Sequence, residues 1–295
     1  MKRVLITGAN SYVGTNVEAW LSNWPEEFCI DSVDTKNENW LEADFTKYDV
    51  VFHVAGIAHV NAKKSMESLY YKVNRDLTIN IAKQAKKSGV KQFIFMSSMI
   101  VYHESRSLKS EVICRETVPK PNGFYGNSKL QAEIGLQELE DESFKVCILR
   151  PPMIYGPNSK GNFMRLAKLG TVTPIFPAFH NKRSMLYIDN LSEFVRQVIL
   201  REIRGICFPQ NKELADTVQI VECFAKQNKH HIRVWKVLNV FVYMASPFIQ
   251  SVNKMFATYY YEQSLSQYEF DYQLVSEEES FMRIDLENAS LVKMD

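Results

Sequence analysis

Thr7-Gly8-Ala9-Asn10-Ser11-Tyr12-Val13-Gly14 decides the reading of this 295-residue chain. Ahead of it, Arg3–Thr7 has the short apolar run of a strand, and the residues from 12 to 22 repeat with helical spacing. A strand that turns through glycine into a helix lets backbone approach whatever occupies the turn. The helix N-terminus adds unpaired N–H groups and a dipole that favour an anion such as a pyrophosphate. Asp34 closes the next strand candidate, Phe28–Val33, at the spacing where a carboxylate accepts from the hydroxyls of an adenosine ribose. Gly8, Asn10, Ser11, Tyr12, Val13, Gly14 and Asp34 are therefore expected to hold a dinucleotide. Ser11 stands where a middle glycine is usual, and its small side chain still permits close approach. Asp34 would repel a 2′-phosphate, which favours NAD, while Lys36 nearby leaves NADP open.

Outward from this turn the alternation continues. Asp49–Val54, Lys91–Ser97 and Lys145–Leu149 read as strands, and 65–88 and 124–142 as helices. Val50-Val51-Phe52-His53-Val54 is almost unbroken apolar sequence, as a strand covered on both faces requires. The fold class is α/β, a doubly wound parallel sheet with a smaller C-terminal lobe. The segment 34–49 has room for a strand at Asn39–Ala43 but hardly for a crossover helix. Asp44, with Phe45 beside it, is placed either to accept from an adenine amino group or simply to start a turn. Pro151-Pro152 and Tyr155-Gly156-Pro157 punctuate the chain, and strands become sparse beyond them. Residues 1–157 and 185–211 are assigned to the nucleotide-binding domain, and 158–184 and 212–295 to the smaller lobe. Within that division 185–210 is expected to return a strand and a helix to the main sheet.

Composition removes several classes. With 46% hydrophobic residues, 23% charged residues and a net charge of +1, the chain is an ordinary globular one without the electrostatic footprint of a nucleic-acid binder. Its five cysteines have no paired spacing, which points to reduced thiols and neither a disulfide framework nor a zinc site. His230 and His231 are adjacent, so they cannot share a helix face, and no metal site is expected. Val234–Ile249 is apolar but interrupted by Lys236, Asn239, Ser246 and Pro247, and is shorter than the roughly 20 residues of a membrane span. A cytoplasmic protein without a transmembrane segment is expected. The aromatic stretch Trp235–Tyr261 is read as lobe core or subunit contact in preference to a membrane-surface contact. His53 reads as a satisfied core or cleft residue, and His59 as a candidate substrate contact.

Tyr125-Gly126-Asn127-Ser128-Lys129 sets a phenol and an ammonium four residues apart, on one face of a helix. A free phenol with pKa near 10 is a poor acid–base catalyst at neutral pH, and a neighbouring cation stabilises its phenolate. Phe93–Met96 runs into Ser97-Ser98 at the carboxyl edge of a strand, where doubly wound sheets place their sites. Ser98 is suited to hold a reacting oxygen against Tyr125.

Together with His53-Val54-Ala55-Gly56, Val73-Asn74, Arg150-Pro151-Pro152 and Tyr155-Gly156-Pro157, these elements resemble the extended short-chain dehydrogenase/reductases, the NAD-dependent epimerase/dehydratase family. The resemblance implies a Rossmann-type domain in which Ser98, Tyr125 and Lys129 are catalytic. It places Val54, Ala55, Gly56, Asn74 and Pro152 in the cofactor cleft together with Tyr125 and Lys129. It also implies a nucleotide-sugar substrate, with Arg183 of Arg183-Ser184-Met185-Leu186-Tyr187-Ile188-Asp189 on the diphosphate and Met153 and Asn162 lining the substrate alongside Ser98 and Tyr125. Helices near 65–88 and 124–142 resemble those that pair family homodimers.

Departures from the family pattern narrow the chemistry. Dehydratases of the family carry an acid pair after the catalytic serine or threonine; here Met99-Ile100 follows Ser98, and neither moves a proton. Epimerases of the family usually show R-x-x-N and a C-terminal R-x-G-D, whereas Met153 takes the asparagine position, His103 replaces a usual glycine, and no such tail motif is present. The expected reaction is reduction of the C4 keto group of a UDP-linked 2-acetamido-2,6-dideoxy-hexulose, as in surface-polysaccharide precursor synthesis. A UDP-sugar 4-epimerase using bound NAD is the alternative, and a dinucleotide-sensing scaffold is a third that the Ser–Tyr–Lys set disfavours.

Overall fold

In the computed structural model of the chain, residues 1–36, 39–58, 63–103, 105 and 107–286 are described. Two compact units divide it: Met1–His103 with Val118–Pro151 and Leu191–Pro209, and Glu104–Thr117 with Pro152–Asn190 and Gln210–Asp295.

The first unit is built on a six-stranded sheet, parallel at every pairing. In spatial order its strands are Gly205–Cys207, Lys145–Leu149, Gln92–Met96, Val50–His53, Lys2–Thr7 and Phe28–Val33. The register aligns Leu5 with Val51, Val51 with Phe93, and Phe93 with Val146, so one buried apolar row crosses the sheet. Ile81, Ala82 and Ala85 from helix Thr78–Lys87 and Ala132 and Leu136 from helix Phe124–Gln137 pack onto the same core. Fully burying each large apolar side chain contributes about 1.5–3 kcal/mol, so this row and its helical cover hold the sheet that positions the site.

Two expectations change. Asn39–Ala43 is not a strand; Asn39–Leu41 is a 3₁₀ turn that drops Trp40 into the core beside Phe45. A single buried side chain satisfies the apolar requirement there, and Phe28–Val33 remains the sheet edge. The helix at 65–88 is not continuous: a 3₁₀ turn at Lys64–Met66 and a helical turn at Glu67–Tyr70 lead into a π-helical segment, Tyr71–Leu77, before Thr78–Lys87 resumes. From 185–210, strand Gly205–Cys207 joins the main sheet next to Lys145–Leu149, and Leu191–Pro209, with most of helix Ile188–Leu200, falls in the first unit. Met185–Tyr187 pairs with Met153–Tyr155 in the second unit.

The second unit contains two further short parallel pairs, Ile175–Pro177 with Arg233–Trp235 and Glu111–Ile113 with Tyr259–Tyr261. An aromatic cluster of Tyr155, Phe163, Tyr187, Phe224 and Phe281 forms its core. The stretch Trp235–Tyr261 is core only in part. Val242, Phe256 and Tyr261 are buried, whereas most of the large apolar side chains from Trp235 to Ile249 face outward. Among the described residues no helix is long and apolar enough to cross a membrane, and no His/Cys/Asp/Glu group could hold a metal.

Candidate active site

The glycine turn is closed against its neighbours. Gly8 and Ala9 N–H groups donate to Val33 O at 2.9 and 3.1 Å, and Val54 and Ala55 N–H groups donate to Thr7 O at 3.0 Å. Gly8 has φ +114°, and a Cβ there would stand 2.7 Å from Ala55 N, so no other residue is accommodated. Asn10, at φ 65°, takes a left-handed conformation that asparagine tolerates. Ser11 Oγ caps the helix Tyr12–Leu21 by accepting from Gly14 N–H at 3.1 Å; Tyr12 and Val13 supply the rest of that first turn. The middle position therefore serves as a cap, a role glycine could not fill. Asp34 lies just past the second strand, its carboxylate oriented by Lys36 N–H at 2.9 Å. A bare backbone cradle with an oriented acid beside it fits a dinucleotide pyrophosphate and ribose.

Asp44 is committed locally: its carboxylate accepts from Thr46 N–H at 3.2 Å and Thr46 Oγ1 at 2.5 Å, which holds its pKa below the ordinary value. It starts a turn. The Phe45 side chain is buried in the core, so only its backbone could face a ligand.

Gly56 gathers the next group. A Cβ on it would lie 3.1 Å from both Asn74 Oδ1 and Lys129 Nζ. Asn74, inside the π segment, accepts from Ile57 N–H at 2.8 Å and donates to Ile57 O and Ser128 Oγ, both at 3.1 Å. Ser128 in turn donates to Tyr125 O at 2.8 Å, so Asn74 ties the loop after the third strand to the helix that carries Tyr125 and Lys129.

Lys129 Nζ is buried, donates to Met96 O at 2.8 Å and sits 4.6 Å from the Phe95 ring centroid. Burial pulls its pKa down to about 8 against the opposing field of Glu133. Burial likewise pushes the Tyr125 phenol up to about 12, partly offset by a hydrogen bond from the Ser98 side chain. Ser98 is extended, and its Oγ accepts from Ile100 N–H at 3.3 Å, which leaves its O–H to donate. Gly126 permits the approach: a Cβ there would stand 2.6 Å from Ile100 O. Ser98 and Tyr125 are thus brought together, and Lys129 follows one helical turn after Tyr125 with its ammonium on Met96 O.

Sequence reasoning missed what anchors this helix. Glu133, one turn beyond Lys129, is buried and receives Arg150 at 2.6 Å through Nη2 and 3.2 Å through Nε, and Ser97 Oγ donates to it as well. Arg150 Nη1 also donates to Tyr102 Oη at 2.9 Å. The i+4 spacing of Glu133 from Lys129 was the available signal.

His53 is a satisfied core residue. Thr78 Oγ1 donates to Asn74 O at 2.9 Å, so it must accept from His53 Nε2–H, also at 2.9 Å. Nδ1 then accepts from Thr7 Oγ1 at 2.7 Å. Burial, and next the charge of Lys129, push its pKa down to about 3, so the ring is neutral. His59 lies outside the described residues.

In the second unit, Met153 opens the strand paired with Met185–Tyr187, and Pro152 precedes it, buried. Asn162 is exposed at the start of helix Asn162–Val172, after Gly161 at φ +117°. Arg183 is half-buried, with its backbone bridged to Ala215 and Tyr259. No hydrogen bond or ion pair reaches its guanidinium among the described residues, and desolvation alone pulls its pKa down to about 10. A cation withdrawn from water without a partner is suited to an incoming anion.

The parallel sheet, the cradle and the Ser–Tyr–Lys group define a dinucleotide-binding α/β enzyme. Residues 4–204 match the NAD dependent epimerase/dehydratase family, and the chain belongs to it. It is 36% identical over 215 residues to the UDP-glucose 4-epimerase of Vibrio cholerae, covering 66% of this chain and 65% of that protein. It is 31% identical over 212 residues to the N-acetyl-alpha-D-glucosaminyl-diphospho-ditrans,octacis-undecaprenol 4-epimerase of Escherichia coli O157:H7, covering 65% and 62%. The matches thus span slightly under two thirds of those relatives' own lengths. Among solved structures, the UDP-glucuronic acid 4-epimerase of Bacillus cereus in complex with NAD superimposes with a TM-score of 0.71 at 20% identity, covering 98% of each chain. The dTDP-4-dehydrorhamnose reductase of Bacillus anthracis in complex with NADP gives 0.64 at 22% identity, covering 79% of this chain and 83% of that one. Both share the fold.

Proposed function

We propose that the protein reduces the C4 keto group of a UDP-linked 2-acetamido-2,6-dideoxy-hexulose, with NADH or NADPH as reductant. The observation that carries this reading is the meeting of Ser98 with Tyr125, a hydroxyl hydrogen-bonded to a protonated phenol, with Met99 and Ile100, which move no proton, next along the chain. Ser98 donates to the C4 oxygen and orients it. Tyr125 delivers the proton to that oxygen, and the ammonium of Lys129, fixed by Met96 O, stabilises the phenolate left behind. Gly8–Gly14 would hold a reduced nicotinamide dinucleotide, with Asp34 placed for its ribose, and the bound group would supply the hydride. Arg183 takes a diphosphate oxygen, and its lack of a protein partner supports that role.

A second reading, 4-epimerisation of a UDP-sugar, is favoured by the identity to the Vibrio cholerae enzyme. It requires Tyr125 to begin as a base, and Met153 in the place of the usual asparagine weighs against it. The exposed Leu69 and Ile134, on helices Glu67–Tyr70 and Phe124–Gln137, support a homodimer formed through those helices.

Purified protein given the 4-keto sugar nucleotide should consume reduced nicotinamide one for one with sugar. Interconversion of UDP-N-acetylhexosamine C4 epimers without added cofactor, and no turnover of the keto sugar, would replace the first reading with the second. Tyr125→Phe should lower kcat by about 10²–10⁴-fold.

A further inference from the structure

We propose that the segment 226–249 of the second unit docks the protein on the surface of an anionic lipid bilayer. Strand Arg233–Trp235 leads through a 3₁₀ turn, Lys236–Leu238, into helix Asn239–Ala245, and Pro247 then turns the chain toward helix Gln250–Phe256. Trp235, Val237, Val240, Phe241, Met244 and Phe248 are among the side chains this region turns outward, with exposures from 44% to 87%. Along the rest of the chain the exposed large apolar residues stand singly, and one of them, Ile175, pairs with Arg233 beside this region. So dense a run of exposed apolar side chains on a folded surface marks a contact.

The display is built, not left over from a missing core. Val242 is buried, and the Tyr243 ring sits edge-on to Phe179 at 5.3 Å, with Phe179 edge-on to Phe256 at 5.5 Å. Asn239 Nδ2 donates to Ala178 O at 2.9 Å, and Asn253 Nδ2 donates to Ser246 O at 2.8 Å. One side of the hairpin is therefore pinned while the other stays apolar and open.

Charge selects the occupant. From Cys223 to Tyr261 the chain has no aspartate or glutamate, but it carries Lys226, Lys229, Arg233, Lys236 and Lys254. Cys223–Tyr261 is +5 in a protein of net charge +1, which leaves the remainder at −4, and the docking segment 226–249 holds four of these five cations. Lys226, Lys229, Arg233 and Lys236 are exposed around the apolar patch. A two-fold contact with a second copy would set these cations against their own images. A bilayer with anionic headgroups pairs with the cations, while Trp, Phe and Met side chains enter the headgroup–acyl boundary. With seven residues, helix Asn239–Ala245 can only lie on such a surface.

Sedimentation of the full chain with vesicles of phosphatidylglycerol and phosphatidylethanolamine, against vesicles of phosphatidylcholine alone, tests this without reference to the reaction. The protein should pellet with the anionic vesicles at about 0.1 M salt and be released as salt screens the headgroups. A Phe241→Ser, Phe248→Ser pair and a Lys229→Glu, Arg233→Glu, Lys236→Glu triple should each cut the bound fraction by about tenfold or more, with thermal unfolding and dinucleotide binding unchanged. Brominated acyl chains should quench Trp235 fluorescence, and Trp235→Phe should lose that quenching, which holds even if a multiple variant fails to fold. The proposal is overturned if the wild-type protein stays in the supernatant at low salt, or if the folded variants bind as it does. It is equally overturned by a wild-type dimer that the Phe241→Ser, Phe248→Ser pair splits without any vesicle binding.

Discussion

In the first unit, the guanidinium of Arg150 is boxed in, bidentate on Glu133 and donating to Tyr102. Desolvation pulls its pKa down, but the hydrogen bonds and charge of Glu133 outweigh that, and the net shift is upward. In the second unit, Arg183 loses water and gains nothing in return among the described residues, so its pKa falls to about 10. Lys129 stands between them, with one carbonyl and one ring as neighbours and a pKa drawn down to about 8. The difference separates two uses of a buried cation. A fully paired one fixes the architecture that holds the helix bearing Tyr125 and Lys129, and an under-paired one is suited to a ligand or a reaction.

The largest effect is expected of Arg150→Met. It strands Glu133 as a buried uncompensated charge and should cost about 3–5 kcal/mol in urea unfolding. Restoring an apolar pair with Arg150→Met and Glu133→Leu should recover much of that loss, which separates the cost of orphaning a charge from the worth of the pair. Arg183→Met should behave oppositely. Affinity for UDP in titration calorimetry should fall by about 10²-fold, while stability stays within about 0.5 kcal/mol or rises, because a desolvated cation has been removed. Equal destabilisation by Arg150→Met and Arg183→Met would erase the distinction. The smallest effect concerns Lys129. Its folded pKa of about 8 lies below the ordinary 10.5, so the ammonium is present at neutral pH and lost as pH rises through 8. The value of kcat/KM should then decline about tenfold per pH unit above 8. The same shift makes its contribution to stability a penalty below pH 8 that is relieved between 8 and 10.5, measurable as a Tm that rises over that window relative to Lys129→Met.

The cradle was legible because its requirements are local. Gly8 must take a positive φ beside Ala55, Ser11 must cap, and Asp34 must follow the second strand, each readable from residue type and spacing. The Ser98, Tyr125 and Lys129 group was legible for the same reason, with helical phase and a strand end doing the placing. What could not be read was set by partners distant in sequence. Trp40 satisfies its burial from a turn as well as from a strand, so an apolar residue in a short segment did not define the element. Glu133 is separated from Arg150 by a helix end and a whole strand, and its meaning emerges only when the two meet. The outward aspect of Phe241 and Phe248 is invisible to composition, which records that residues are apolar but not which side of a hairpin they occupy.

The π-helical turn at Tyr71–Leu77 gives the long helix an unusual tolerance of length. Such a turn behaves as one extra residue looped into an α-helix whose two halves otherwise keep their phase. Deleting a residue within it would let regular hydrogen bonding run through, with Ile81, Ala82 and Ala85 still facing the core. Only the bulge that carries Asn74 to Ile57 and Ser128 would be lost. A lineage could therefore shed the clamp between Ile57 and the helix of Tyr125 and Lys129 in a single codon and keep a folded protein, or acquire it by the reverse step.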